Sequence, residues 1–134
     1  MKATLVDSNV LVDYLDEDEE WCDWSGAMLS AAATHGTVVI NPIVYAEVSV
    51  RYARLEDLEQ ALPPDYFVRE HLPWEAAFLA GKCFDQYRRR GGTKRSPLPD
   101  FYIGAHAAVT GMTLLTRDAR RYRKYFPKLR IVAP

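Results

Sequence analysis

Apolar positions along the chain follow two alternating rhythms. Short, mostly apolar runs occur near 3–6, 37–40, 66–68, 112–115 and 129–132. Runs this short, bounded by polar or breaking residues, predict buried strands. Between them, apolar residues recur every three or four positions. This spacing predicts helices at 9–15, from Trp21 to about Thr34, from Pro42 to about Arg54, and around Leu55, Leu58 and Leu62. It predicts three more: a long helix from Pro73 to the Arg88, Arg89, Arg90 run, one from Asp100 to Val109, and a short basic one from Ala119 to Phe126. Gly36 and Gly111 end helices, Pro42 suits a first helical turn, and Pro63-Pro64 closes the short helix. The acidic run 16–20 is expected as a solvated turn leading into a helix N-terminus, and 91–99 as the one clear loop. Strands alternating with helices predict an α/β fold. Its parallel sheet of about five strands lies between two helical layers.

At 134 residues the chain is expected to be a single domain spanning 1–134, with a sizeable core. Its 49% hydrophobic and 26% charged residues match an ordinary soluble globular protein. No basic stretch leads into a long apolar one, and no apolar run approaches the ~18 residues of a membrane span. The expectation is a cytoplasmic protein without membrane association. Cys22 and Cys83 are too few for a disulfide framework or a zinc site and are expected as reduced thiols. Charge is divided along the chain. Residues 1–80 carry 15 Asp/Glu against 4 Lys/Arg, and residues 81–134 carry 3 against 13. Such asymmetry allows one surface that attracts polyanions, although mutual neutralisation after folding is equally open.

Chemistry enters through the acids that end these apolar runs. Asp7 follows the first strand, so it stands at the carboxyl end, where open parallel sheets place ligands. Asp118 repeats that logic after the fourth strand and its Thr116; an N-cap would explain it too. Glu47 lies on the same helical face as Ile43 and Val50, an unexpected place for a charge unless it reaches water or pairs with Arg51. Asp100 opens a helix after Pro97-Leu98-Pro99, where the helix dipole alone would favour an acid. Together, four carboxylates gathered at one edge would repel and raise one another's pKa values. A hard divalent cation relieves that repulsion, and Mg²⁺ or Mn²⁺ suits an all-oxygen site. Phosphoryl chemistry by metal-activated water follows from such a centre.

Val6-Asp7-Ser8-Asn9, Glu47, Leu98-Pro99-Asp100 and Leu115-Thr116-Arg117-Asp118 together resemble the PIN domain. The tail from Leu115 through Arg120-Arg121-Tyr122 to Tyr125-Phe126-Pro127 is similar to the VapC branch, the ribonuclease toxins of type II toxin–antitoxin systems. The resemblance covers essentially the whole chain. It implies a three-layer PIN-like fold, with Asp7 and Asp100 as primary ligands of Mg²⁺ or Mn²⁺ and Glu47 and Asp118 completing the acidic cluster. Asn9 would orient Asp7 or a water, and Thr116 would hydrogen-bond phosphate or water. Arg117 has exposed charge as its plainer reading. The implied activity is metal-dependent hydrolysis of RNA phosphodiesters, restrained by a VapB-type antitoxin, in a homodimer.

Arg88, Arg89, Arg90, Lys94 and Arg95, flanking the loop before Asp100, are the first RNA-contact candidates. Arg120, Arg121, Arg123 and Lys124 are the second. His106 is expected to be a packed helix residue. Trp21 and Trp24 read as core, with an antitoxin groove as the alternative. Two other functions stay open: a non-catalytic PIN-like module binding RNA or a partner, and an aspartate-nucleophile phosphatase. Against the phosphatase, Asn9 stands where that chemistry wants a second acid.

Overall fold

The computed structural model describes residues 2–134. Five strands, β1 (Lys2–Val6), β2 (Gly36–Ile40), β3 (Phe67–Arg69), β4 (Thr113–Leu115) and β5 (Ile131–Val132), form one all-parallel sheet in the order β3-β2-β1-β4-β5. Seven helices among the described residues connect them and complete the three-layer α/β/α architecture: α1 (Ser8–Leu15), α2 (Cys22–His35), α3 (Pro42–Ser49), α4 (Leu55–Ala61), α5 (Trp74–Arg89), α6 (Pro99–Thr110) and α7 (Arg120–Tyr125). None of them is long and apolar enough to cross a membrane. Leu5, Val6, Val38, Val39, Ile40, Leu114 and Leu115 are buried in the sheet, which is why these strands read as continuous apolar runs.

The central strand is also the first. β1 pairs with β2 on one side and β4 on the other, with Leu5 opposite both Val39 and Leu114. At Gly36 an added Cβ would lie 1.7 Å from the Lys2 carbonyl oxygen, so this residue permits the close approach of β2 to β1. The turns leaving the sheet are capped by side chains. Asp7 accepts from the Ser8 amide at the start of α1, and Asn41 accepts from the Val44 amide at 2.9 Å at the start of α3. Gly111 closes α6 with φ +71°, a left-handed geometry suited to glycine.

Several boundaries differ from the spacing-based expectation. The helix expected to reach Arg54 stops at Ser49, where the Ser49 hydroxyl donates to Ala46 O. The amides of Arg51 and Tyr52 then bond three residues back instead of four, tightening the chain into a turn. β3 starts at Phe67, because the Tyr66 amide is held in a turn by Pro63 O. β5 is only Ile131–Val132, since Leu129 turns back onto Phe126 O. At Gly104 an added Cβ would lie 2.3 Å from the Phe126 ring, so its absence lets the C-terminal segment pack on α6.

Candidate acidic site at the carboxyl edge of the sheet

Parallel pairing brings the two strand-end motifs side by side. Val6 lies opposite Leu115, and the Asp7 amide donates to Leu115 O at 2.8 Å. Asp7 and Thr116 therefore leave the sheet as neighbours although 109 residues separate them. Asp7 is 4% exposed and Thr116 fully buried. The Thr116 hydroxyl donates to Asp7 Oδ2 at 2.8 Å, and Asn9 Nδ2 reaches the same oxygen at 3.4 Å. Asn9 Oδ1 accepts from the Arg117 amide at 3.1 Å, tying the first turn of α1 to the loop after β4.

Tyr122, on α7, contributes a hydroxyl 2.9 Å from Asp7 Oδ2 and 3.3 Å from Asp100 Oδ1. One phenol thus links the acid at the end of β1 to the acid at the start of α6. Burial and the negative charges of Asp7 and Asp100 push the Tyr122 pKa well above its ordinary value, so it remains a donor. Ser8 makes a second link. Its amide donates to Asp7 Oδ1 at 2.8 Å and its hydroxyl to Glu47 Oε1 at 2.9 Å. Glu47, half-buried on α3, does not pair with Arg51, which bonds Asp16 at 3.0 Å.

Electrostatics distinguish these acids. Burial raises the Asp7 carboxyl; the Thr116 and Tyr122 hydroxyls oppose that shift, and Asp100 adds to it. Burial likewise raises Glu47, with further repulsion from Asp7 and Asp100. Asp118 goes the other way. It is exposed, it accepts from Arg120 Nε at 3.3 Å, and that guanidinium lowers its carboxyl. Asp118 joins the centre through its amide, which donates to Thr116 Oγ1 at 3.2 Å. Asp100 Oδ2 accepts from Arg121 Nη1 at 3.2 Å. The structure thus connects Asp7, Glu47, Asp100, Thr116 and Asn9 in one network, with Asp118 at its rim.

Among the described residues, no three His, Cys, Asp or Glu side chains close into a ready metal cage. Asp7, Glu47 and Asp100 are joined through Tyr122 and Ser8. The donor chemistry nevertheless fits a hard divalent cation. The donors are all oxygen, and Asp7 is buried among neutral donors. Asp7 and Glu47 pair with no cationic side chain, whereas Asp100 and Asp118 meet Arg121 and Arg120.

Sequence reasoning passed over Tyr122, Ser8 and Asp13. Asp13, on α1, is 4% exposed, accepts from Arg117 Nε at 2.7 Å and from the Ser25 hydroxyl at 3.1 Å, and had one available signal: it falls three residues after buried Val10. Arg117 is therefore no plain exposed charge; its guanidinium also lies 5.4 Å from the Trp21 ring centre. Trp24 packs on the core, and Trp21 meets it edge-on. His106 is fully buried on α6, with Asn41 Nδ2 donating to Nδ1 at 3.0 Å and Glu70 Oε1 3.2 Å from Nε2, in keeping with a packed helix residue.

Of the first basic candidates, Arg88 donates to Gly92 O and Lys94 O, and Arg89 pairs with Asp85 at 3.1 Å. Arg90 lies over Tyr125, while Lys94 and Arg95 are exposed.

The sheet order, the three layers and the acids at the carboxyl edge define an all-parallel α/β protein with an acidic centre. The chain belongs to the PIN domain family, whose family model matches residues 4–127. Its fold is similar to that of VapBC2 from Rickettsia felis bound to a DNA fragment from their promoter, with TM-score 0.75 and 18% identity over 98% of each chain. It is also similar to VapBC-1 from nontypeable Haemophilus influenzae, with TM-score 0.72 and 16% identity over 98% of this chain and 97% of that one. A toxin–antitoxin complex from Klebsiella pneumoniae shows TM-score 0.69 and 23% identity over 96% and 95%. At these identities the likeness is one of fold. No curated protein sequence matches the chain.

Proposed function

We infer that this chain, read as a single PIN domain over residues 1–134, is a VapC-type toxin that hydrolyses RNA phosphodiester bonds with the help of Mg²⁺ or Mn²⁺. The observation that carries the reading is the pair Asp7–Asp100, joined by one buried phenol at the carboxyl edge of a PIN fold, with Glu47 linked to it through Ser8. Asp7 and Asp100 would hold the cation, with Glu47 and Asp118 completing the acidic surroundings. A bound cation supplies positive charge to the phosphate and lowers the pKa of water. The chain's own residues set the stage: Thr116, Tyr122 and the Ser8 amide fix the Asp7 carboxylate, and Asn9 holds the loop that carries Thr116. A nucleophilic role for Asp7 is less well supported, because it is buried and both its oxygens accept hydrogen bonds.

The fold likeness to VapBC complexes supports a cognate VapB-type antitoxin as partner, while a homodimer and a cytoplasmic location rest on the family resemblance alone. The test is incubation of the purified protein with total RNA, with 5′ ends mapped afterwards. Cleavage is expected with Mn²⁺ or Mg²⁺, none with EDTA, and none from Asp100→Asn. Cleavage that survives thorough chelation overturns the metal-dependent reading. Metal binding without cleavage of any RNA favours a non-catalytic module.

A further inference from the structure

Beside the acidic centre, a polar cavity opens between α6 and α7. It is lined by Asp100, Asp118, Arg120, Arg121 and Lys124, with Tyr87 and Tyr125 as aromatic walls. Resting on the ribonuclease reading above, we propose that Arg120, Arg121 and Lys124 form a subsite for a backbone phosphate of single-stranded RNA, next to the phosphate that faces Asp7 and Asp100.

Four observations converge on it. α7 buries Tyr122 and Phe126 follows it into the core, which leaves Arg120, Arg121 and Lys124 exposed on its outer side. Two of these cations are already parked on acids: Arg121 Nη1 is 3.2 Å from Asp100, and Arg120 Nε is 3.3 Å from Asp118. Both pairs are solvent-accessible, and exposed pairs are weak, so they open readily in exchange for a stronger partner. Phosphate is such a partner, because its oxygens match the guanidinium fork. Any positive charge arriving at Asp100 weakens its hold on Arg121 and turns that guanidinium towards an incoming anion.

Second, the cavity is contiguous with the acids. Asp100 belongs to both, so a strand lying in it meets Asp100, which the Tyr122 hydroxyl links to Asp7. Third, its walls are aromatic. Tyr125 packs at about a right angle to Phe101, at 4.9 Å between ring centres, and Arg90 and Lys124 lie 5.7 and 5.6 Å from its ring centre, so the aromatic wall also carries positive charge. Fourth, in the competing basic cluster at the end of α5, Arg88 is held by two loop carbonyls, and the exposed Lys94 and Arg95 line no part of this cavity.

The test measures binding without turnover. A fluorescein-labelled single-stranded oligouridylate is titrated by anisotropy against the Asp7→Asn protein, with Mg²⁺, over a range of salt. Adding Arg120→Gln with Arg121→Gln is expected to weaken binding about tenfold and to flatten the slope of log K against log salt by about 0.7, the value for one phosphate no longer neutralised. Arg120→Lys with Arg121→Lys is expected to restore most of the slope. Lys124→Gln alone, at an exposed position, should flatten it by a smaller amount and keeps the test open if the double variant folds poorly. An unchanged slope in the α7 variants, or an equal loss from Arg89→Gln with Arg95→Gln, overturns the subsite and leaves the RNA substrate standing. No binding by the Asp7→Asn parent at low salt overturns the subsite and the RNA reading together.

Discussion

Two buried carboxylates sit six residues apart at opposite ends of α1 and have the same exposure, 4%. Asp13 is neutralised. Arg117 Nε reaches it at 2.7 Å, and Ser25 adds a hydroxyl. Asp7 receives four hydrogen bonds, from Ser8, Asn9, Thr116 and Tyr122, and none of the donors carries charge. The acid Asp100, which shares the Tyr122 hydroxyl with it, adds to the rise in its pKa. Burying a charge is costly unless it is compensated. At Asp13 the chain supplies the compensation itself, and the result holds α1 to α2 and to the loop after β4. At Asp7 the chain supplies orientation but no cation, and burial raises the carboxyl, so its charge is relieved by a proton or by a cation from outside. The same residue type at the same depth is thus structural in one place and a candidate ligand in the other.

The largest effect expected from this contrast is on activity. Asp7→Asn should lower RNA cleavage by more than about a hundredfold, since even outer-shell changes at metal sites reach that size. Its circular dichroism should stay that of the parent. Full cleavage by this variant would sink the proposed role of Asp7. Asp13→Ala should do the reverse and act first on stability. It strands a half-buried Arg117 and should cost about 3 kcal/mol in a urea unfolding experiment, with Arg117→Met in the same chain recovering part of that. A neutral Asp13→Ala would show that the pair is not the structural half of the comparison.

The smallest effect concerns pH. The folded chain holds protons on Asp7 and Glu47 above the range where the unfolded chain has released them, because burial raises both carboxyls. In EDTA, stability should therefore fall as pH rises from the ordinary carboxylate range through the raised values. Glu47→Gln should flatten that fall, and Mn²⁺ should offset it near neutral pH, both read as Tm. A stability that climbs steadily through the same window would mean that the centre is already compensated from within.

Much of this was legible beforehand. The five apolar runs and the helical spacing between them carried the layers and the strand directions, because a fully buried parallel strand leaves an unbroken apolar signature. Asp7, Thr116 and Asp118 were legible as strand-end residues, and Asp100 and Glu47 as acids near helix starts on the same edge. The pairing of charges was not. Arg117 looks like a surface cation until Asp13 is seen 104 residues away, and Tyr122 looks like a core aromatic until its hydroxyl is placed between two acids.

The sequence by itself determined the order of elements and which acids stand at the carboxyl edge, since both follow from local periodicity and from chain direction in a parallel sheet. Only the tertiary structure decided which of those acids keep their charge uncompensated. Asp118 and Asp100 each meet an arginine from α7, and Asp13 meets Arg117. Asp7 meets hydroxyls and amides, with no cation among them. Compensation is a matter of ångströms between residues distant in sequence, and no local pattern encodes it.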